Sequence, residues 1–132
     1  MGVFLSLDES DRIVLVRFEG ILTDKVLLER YEQARAWFHI HGDRSAISFF
    51  GDVVAFEVTV QGVSQLAASP PLVPNGYLRI VVAPQNEIFG MTRMFGVLGN
   101  ETRDRVHVVR TMAEACQLVG VESIVFHPVL PW

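Results

Sequence analysis

The sequence predicts a single α/β domain with a mostly parallel sheet that begins with an antiparallel hairpin. Two patterns carry this prediction. Apolar segments of strand length alternate with segments of helical periodicity, an order typical of parallel β-α-β units. The first two apolar segments are separated by only four polar residues, and so short a connection joins antiparallel strands. A length of 132 residues suits one domain.

The predicted hairpin pairs residues 3–7 with residues 12–20. In the second strand, Val14, Val16 and Phe18 would share one face of the sheet, because side chains alternate along a strand. Asp8 lies in the connection, and hairpin turns favour aspartate for backbone reasons. The acidic turn therefore predicts no functional site.

A long helix is predicted next, from Thr23 as its N-cap to Gly42 as its C-terminal stop. Asp24 falls in its first turn, where a carboxylate suits the helix dipole. The apolar residues of this helix follow a spacing of four, three and four and form one stripe, which consists of Leu27, Tyr31, Ala34 and Phe38.

The central segment combines a buried strand, a turn and an uncharged helix. Residues 45–51 are apolar without alternation, as in a strand covered on both faces, and residues 52–57 are predicted as a turn. Thr59 would cap a helix to about Ser69, which Gly62 weakens. From residue 58 to 78 there is no Asp, Glu, Lys or Arg, although 20% of the chain is charged. Such a surface is either buried or contacts something apolar.

The remaining chain continues the alternation. A strand is predicted at 77–83, a helix from Asn86, a strand at 105–110, and a short helix that starts at Thr111 with a capping box and stops at Gly120. Residues 1–120 would thus form a sheet of about five strands with four helices. Residues 121–132 would be an apolar extension, docked on the domain or on a partner subunit.

Composition limits the classes of function. A formal net charge of −4 provides no basic field for nucleic acid. No apolar run approaches the roughly 18 residues of a membrane span. The lone cysteine, Cys116, excludes an internal disulfide and a thiolate metal cluster, which fits a cytoplasmic location. Because half of the residues are apolar, a core, an interface, a ligand cavity or a membrane surface must take up that apolar surface.

The order of elements and several segments resemble the SpoIIAA-like group of the STAS superfamily (sulphate transporters and anti-sigma-factor antagonists). More narrowly, the chain resembles bacterial STAS/CRAL-TRIO-like proteins. The similarity covers roughly residues 3–120, and the segments that carry it are 14–20, 27–38, 79–83, 89–95 and 106–118. It implies the SpoIIAA-like fold and a role in binding or regulation.

The resemblance also implies a regulatory position. In anti-sigma-factor antagonists a Ser or Thr at the start of the helix after the third strand is phosphorylated, with an acidic residue nearby. Thr59 and Glu57 occupy that place here, followed by Gly62 and Val63. The spacing is two residues longer than in the family, and the Asp-Ser-Ser-Gly-Leu run is absent. An N-cap role alone also explains Thr59.

The sequence lacks the common motifs of catalysis and metal binding. The chain has no Walker A loop, no Gly-x-Gly-x-x-Gly, no His-Glu-x-x-His and no nucleophile elbow. His39 and His41 are two residues apart near a helix end, which points them about 200° apart on the helix, a poor chelate. We therefore predict no catalytic residue, no cofactor and no metal.

Two hypotheses of function follow. In the first, the chain is a non-enzymatic binding module whose uncharged 58–69 helix contacts a protein partner or a second copy, with Phe126 and Trp132 as dimer contacts. In the second, which the resemblance to CRAL-TRIO-like proteins implies, it binds a hydrophobic ligand or a membrane surface. The residues of the third helix that would form this ligand or partner surface are Phe89, Arg93, Met94 and Val97.

Overall fold

A computed structural model describes residues 3–8, 10, 12–73, 76–98 and 106–131 of the chain. It is an α/β protein with a six-stranded mixed sheet and four helices, which confirms the predicted class and helix number. The elements are β1 (Val3–Asp8), β2 (Ile13–Thr23), α1 (Asp24–His41), β3 (Ser45–Glu57), α2 (Val60–Ala68), β4 (Arg79–Val82), α3 (Asn86–Leu98), β5 (Val106–Val109), α4 (Met112–Val119) and β6 (Phe126–Pro131).

The strands lie in the order β5-β4-β3-β2-β1-β6. Strands β2 to β5 are parallel, whereas β1 is antiparallel to both of its neighbours. The sixth strand corrects the predicted number of about five. Its sequence contains Pro128 and Pro131, residues that argue against a central strand but are tolerated at a sheet edge, where β6 lies.

A second correction concerns residues 52–57, which were predicted as a turn. These residues are instead the second half of β3. They pair with the end of β2, and the last residue pair of the two strands is Thr23 and Glu57. The register shifts twice, with one extra β3 residue each time. These bulges bend the strand and break the alternation by which a strand is recognised in sequence.

The two faces of the sheet bury different helices. Side chains of α1, α2 and α3 pack on one face in the main core, together with Val14, Val16 and Phe18 of β2, as predicted for that strand. The stripe of α1 is also confirmed, since all four of its predicted residues are buried. The opposite face carries a smaller cluster, made of Ile13, Leu15, Ile47, Ile80, Val82 and Ala115 of α4.

Candidate functional site

The first turns of α1 and α2 meet at Asp24 and Thr59. The Thr59 backbone N–H donates to Asp24 Oδ1 at 2.8 Å, and the Thr59 hydroxyl donates to Asp24 Oδ2 at 2.6 Å. The same hydroxyl oxygen accepts from the Gly62 N–H at 3.1 Å and so caps α2, as predicted. The carboxylate of the first α1 residue thus lies at the positive end of the α2 dipole as well.

Gly62 is part of this junction. It is buried, and a Cβ atom on it would collide with the Asp24 carboxylate. The sequence predicted that glycine weakens the helix, because of its conformational entropy. Its structural role is to let the two helix starts approach, and nothing local in the sequence indicates this, since Asp24 lies 35 residues before Thr59.

Thr59 and Glu57 differ in their surroundings. Thr59 is an exposed residue, and its hydroxyl bonds to Asp24. Glu57 is exposed at the end of β3, opposite Thr23 in the parallel register. The acidic group that contacts Thr59 is therefore Asp24, a residue that sequence reasoning assigned only to the α1 dipole.

The outer side of α2 carries no charge. Its inner side packs Val63, Leu66 and Ala67 into the core. The five exposed residues are Val60, Gln61, Ser64, Gln65 and Ala68, and Val60 is 59% exposed. Beyond the helix, Leu72 and Val73 are buried, so the uncharged segment is partly core and partly an exposed helix side.

Helix α3 packs against α2. The four residues predicted to form a surface on α3 differ in how far they are exposed. Arg93 and Val97 are exposed, with Val97 at 76%, whereas Met94 is half-buried against the main core. Phe89 is half-buried too, and its ring lies near two guanidinium groups. The Arg93 Cζ is 5.8 Å and the Arg110 Cζ 3.9 Å from the ring centroid.

Arg110 was not singled out by sequence reasoning. It follows β5, and its Nη1 donates to the Pro84 carbonyl at 3.1 Å and to Asn86 Oδ1 at 2.8 Å. These bonds and the Phe89 ring fix the guanidinium beside the start of α3. Only the apolar neighbours of Arg93 could be found in the sequence, because Arg110 reaches Phe89 from another element.

A small apolar cavity lies between the sheet and the first three helices. Its volume is about 30 Å³, which holds roughly two or three water-sized groups. Pockets for drug-sized ligands measure about 300–1,000 Å³. The lining residues come from α1, β3, α2, β4 and α3 and include Tyr31, Val58, Leu66, Met91, Thr92 and Phe95.

The predicted dimer contacts lie at the C-terminal end. Phe126 is half-buried and packs within its own chain against the cluster of the opposite sheet face. Trp132 lies outside the described residues.

Within the described ranges, no three His, Cys, Asp or Glu side chains are grouped as metal ligands, and no helix has the length and hydropathy to span a membrane. Comparison with known proteins gives no match to a family model, a curated protein or a solved structure. The resemblance to the SpoIIAA-like group therefore stays a prediction.

Proposed function

We propose that the chain is a non-enzymatic binding module that acts through the outer side of α2, and that its first partner is a second copy of the chain. The supporting observation is that all five exposed residues of α2 are uncharged. In a two-fold contact each patch meets its own copy, so any charge at the centre would face a like charge. An uncharged helix side avoids that repulsion at the contact. This matters because each copy of the chain carries a net charge of −4.

A hydrophobic-ligand function has less support. A lipid tail needs a cavity about ten times larger than the one beneath α2. Phe89 and Met94, which were predicted to hold such a ligand, are half-buried against the main core. The geometry therefore favours contact with a protein over carriage of a lipid.

Phosphorylation of Thr59 would regulate this surface. A phosphate on Oγ1 replaces the proton that is donated to Asp24 and brings close to two negative charges against that carboxylate. Repulsion would separate the start of α2 from α1 and would move the proposed contact surface. This mechanism extends the resemblance to anti-sigma-factor antagonists, with Asp24 as the acidic group.

Light scattering on the purified full chain tests the proposal. We expect a dimer at several milligrams per millilitre that dissociates in Gln65→Arg, since this places two like charges face to face across the two-fold axis. Gln117→Arg is the matched control, because Gln117 is an exposed glutamine on α4 and lies away from the contact. A wild-type monomer at that concentration, or equal dissociation in both variants, would contradict the proposal.

Thr59→Asp tests the proposed regulation and should weaken the dimer. Unchanged association would remove Thr59 as a switch.

A further inference from the structure

A polar cleft lies where the parallel strands β2, β3 and β4 begin, at the end of the sheet opposite to Asp24 and Thr59. Its volume is about 380 Å³, at the lower end of the range of about 300–1,000 Å³ for small-molecule sites. All of its lining side chains can form hydrogen bonds, and they are Arg12, His41, Asp43, Arg44, Ser45 and Tyr77. The cleft therefore suits a polar ligand, unlike the small apolar cavity beneath α2.

The lining has an excess of one positive charge, because it contains two arginines and one aspartate. Arg12 is held by the turn after β1. Its backbone N–H donates to Asp8 Oδ1 at 2.8 Å, and its Nε donates to Ser10 Oγ at 3.1 Å. The Arg12 Nη1 and Nη2 atoms have no bonding partner among the described residues. Two such donor groups match the oxygens of an anionic ligand.

Arg44 offsets a feature that would repel an anion at the end of α1. The last carbonyls of a helix carry partial negative charge. Arg44 Nη1 donates to two carbonyls there, that of His41 at 2.9 Å and that of Gly42 at 3.0 Å. The Arg44 Cζ lies 5.1 Å from the centroid of the buried Trp37 ring, and the His41 ring stacks on the same ring at 4.6 Å. The guanidinium and the imidazole are thus held in place without a ligand, which lowers the entropic cost of binding one.

Two further groups of the lining indicate what else the ligand carries. The Asp43 carboxylate is on an exposed residue and has no bonding partner in the described part of the chain. A carboxylate repels an anionic group but accepts hydrogen bonds from hydroxyl groups. Tyr77 is 43% exposed and offers an aromatic surface to the carbon atoms of a ligand. A ligand with an anionic group at one end and hydroxyl groups at the other satisfies both the arginines and Asp43.

We propose that the cleft binds a sugar phosphate, with the phosphate at Arg12 and the sugar hydroxyls at Asp43. A phosphate ester carries up to about two negative charges and offers more acceptor oxygens than a carboxylate. Phosphate alone would fill only a small part of a volume of about 380 Å³. Because most of the lining residues are exposed, water and salt screen their charges, and the dissociation constant should be about 1–10 mM. This site is independent of the outer side of α2.

An NMR titration of the isotope-labelled full chain with ribose 5-phosphate tests the proposal. We expect the backbone amide signals of Ser45 and Tyr77 to shift until they saturate, and those of Val60 and Arg93, which lie outside the cleft, to stay in place. Ribose should bind at least about tenfold more weakly, because it brings no charge to the arginines. Inorganic phosphate should also bind more weakly, since it has no sugar hydroxyls for Asp43.

Three variants separate recognition of the phosphate from recognition of the hydroxyls. Arg12→Gln should lower the affinity for ribose 5-phosphate at least about tenfold, the effect of lost hydrogen bonds to a charged group. Arg93→Gln, at an exposed arginine of α3, is the matched control and should leave the affinity unchanged. Asp43→Asn should weaken binding of ribose 5-phosphate but not of inorganic phosphate, because only the sugar uses the carboxylate.

Four results would overturn the inference. Equal affinity for ribose and ribose 5-phosphate would show that the phosphate is not recognised. Equal affinity for inorganic phosphate would show that the sugar is not recognised. Signal shifts outside the cleft, or equal losses in Arg12→Gln and Arg93→Gln, would indicate general attraction between charges. Absence of any shift at tens of millimolar would exclude the site, and this result, like the comparison of the three ligands, needs only the wild-type chain.

Discussion

Asp24 and Thr59 are joined by two hydrogen bonds although 35 residues separate them in the chain. The carboxylate of Asp24 thereby fixes the first turn of α1 to the first turn of α2. Since α2 carries the proposed contact surface, the position of that surface depends on one side chain at the start of another helix.

Asp24→Ala and Thr59→Ala should each lower the free energy of unfolding by about 1–2 kcal/mol, from lost hydrogen bonds and, for Thr59, a lost cap. Both changes remove the same contact, so the double variant should be about 1 kcal/mol more stable than the sum of the single losses predicts. Urea unfolding of the four proteins measures this coupling. Lys25→Ala, at the exposed neighbour, should change stability by less than about 0.5 kcal/mol. Simple additivity would show that the pair contributes nothing.

The effect of Gly62→Ala on the free energy of unfolding should change sign when Asp24 is removed. In the wild type the new methyl group collides with Asp24 and should destabilise the fold. In an Asp24→Ala background the collision is absent, and alanine should stabilise α2 by about 0.5–1 kcal/mol relative to glycine. Gly90→Ala in α3 is the matched control, because a Cβ atom there meets nothing within 4 Å and the residue is exposed. Gly90→Ala should stabilise the wild type, and destabilisation by Gly62→Ala in both backgrounds would refute the explanation.

The sequence predicted the features that depend on neighbouring residues, and it did not predict those that depend on contacts between distant parts of the chain. The α1 stripe and the Thr59 cap are local patterns within one or two turns, and both were predicted correctly. The bulged end of β3 and the proline-containing β6 lack the local pattern of a strand, and pairing with β2 and β1 makes them strands. Arg79 falls within the strand predicted at 77–83, but no local pattern indicates what its guanidinium contacts. Its burial depends on Tyr31 and Ser48, which lie 48 and 31 residues away.

Asp8 should contribute to the loss of stability in acid. Partial burial raises its pKa, but hydrogen bonds from the Ser10 hydroxyl and from the Ile13 and Arg12 backbone N–H groups outweigh this and lower it below its ordinary value of 3.8. The folded state therefore favours the carboxylate. Asp8 stabilises the fold above its unfolded pKa, and this contribution is lost as the pH falls through the lower, folded pKa.

Urea unfolding below about pH 4 measures this effect. Asp8→Asn should be less stable than the wild type at neutral pH, and the difference should shrink as the solution is acidified. Asp43→Asn, at an exposed position after α1, is the matched control. Its free energy of unfolding should fall on acidification as much as that of the wild type. A difference between Asp8→Asn and wild type that stayed constant down to pH about 2 would contradict the assignment.

Arg110 and Arg93 should differ in what they contribute to the fold, although both face the Phe89 ring. The Arg110 guanidinium is nearer to the ring, at 3.9 Å against 5.8 Å, and also donates to Pro84 and Asn86. Arg110→Ala should therefore cost about 1–2 kcal/mol, and Arg93→Ala less than about 0.5 kcal/mol. Urea unfolding compares the two, and in a Phe89→Leu background the cost of Arg110→Ala should fall by about 0.5–1 kcal/mol. Equal losses would mean that both guanidinium groups support the fold. The predicted inequality instead leaves the exposed Arg93 available to a partner beside α2, while Arg110 holds the ring on which it rests.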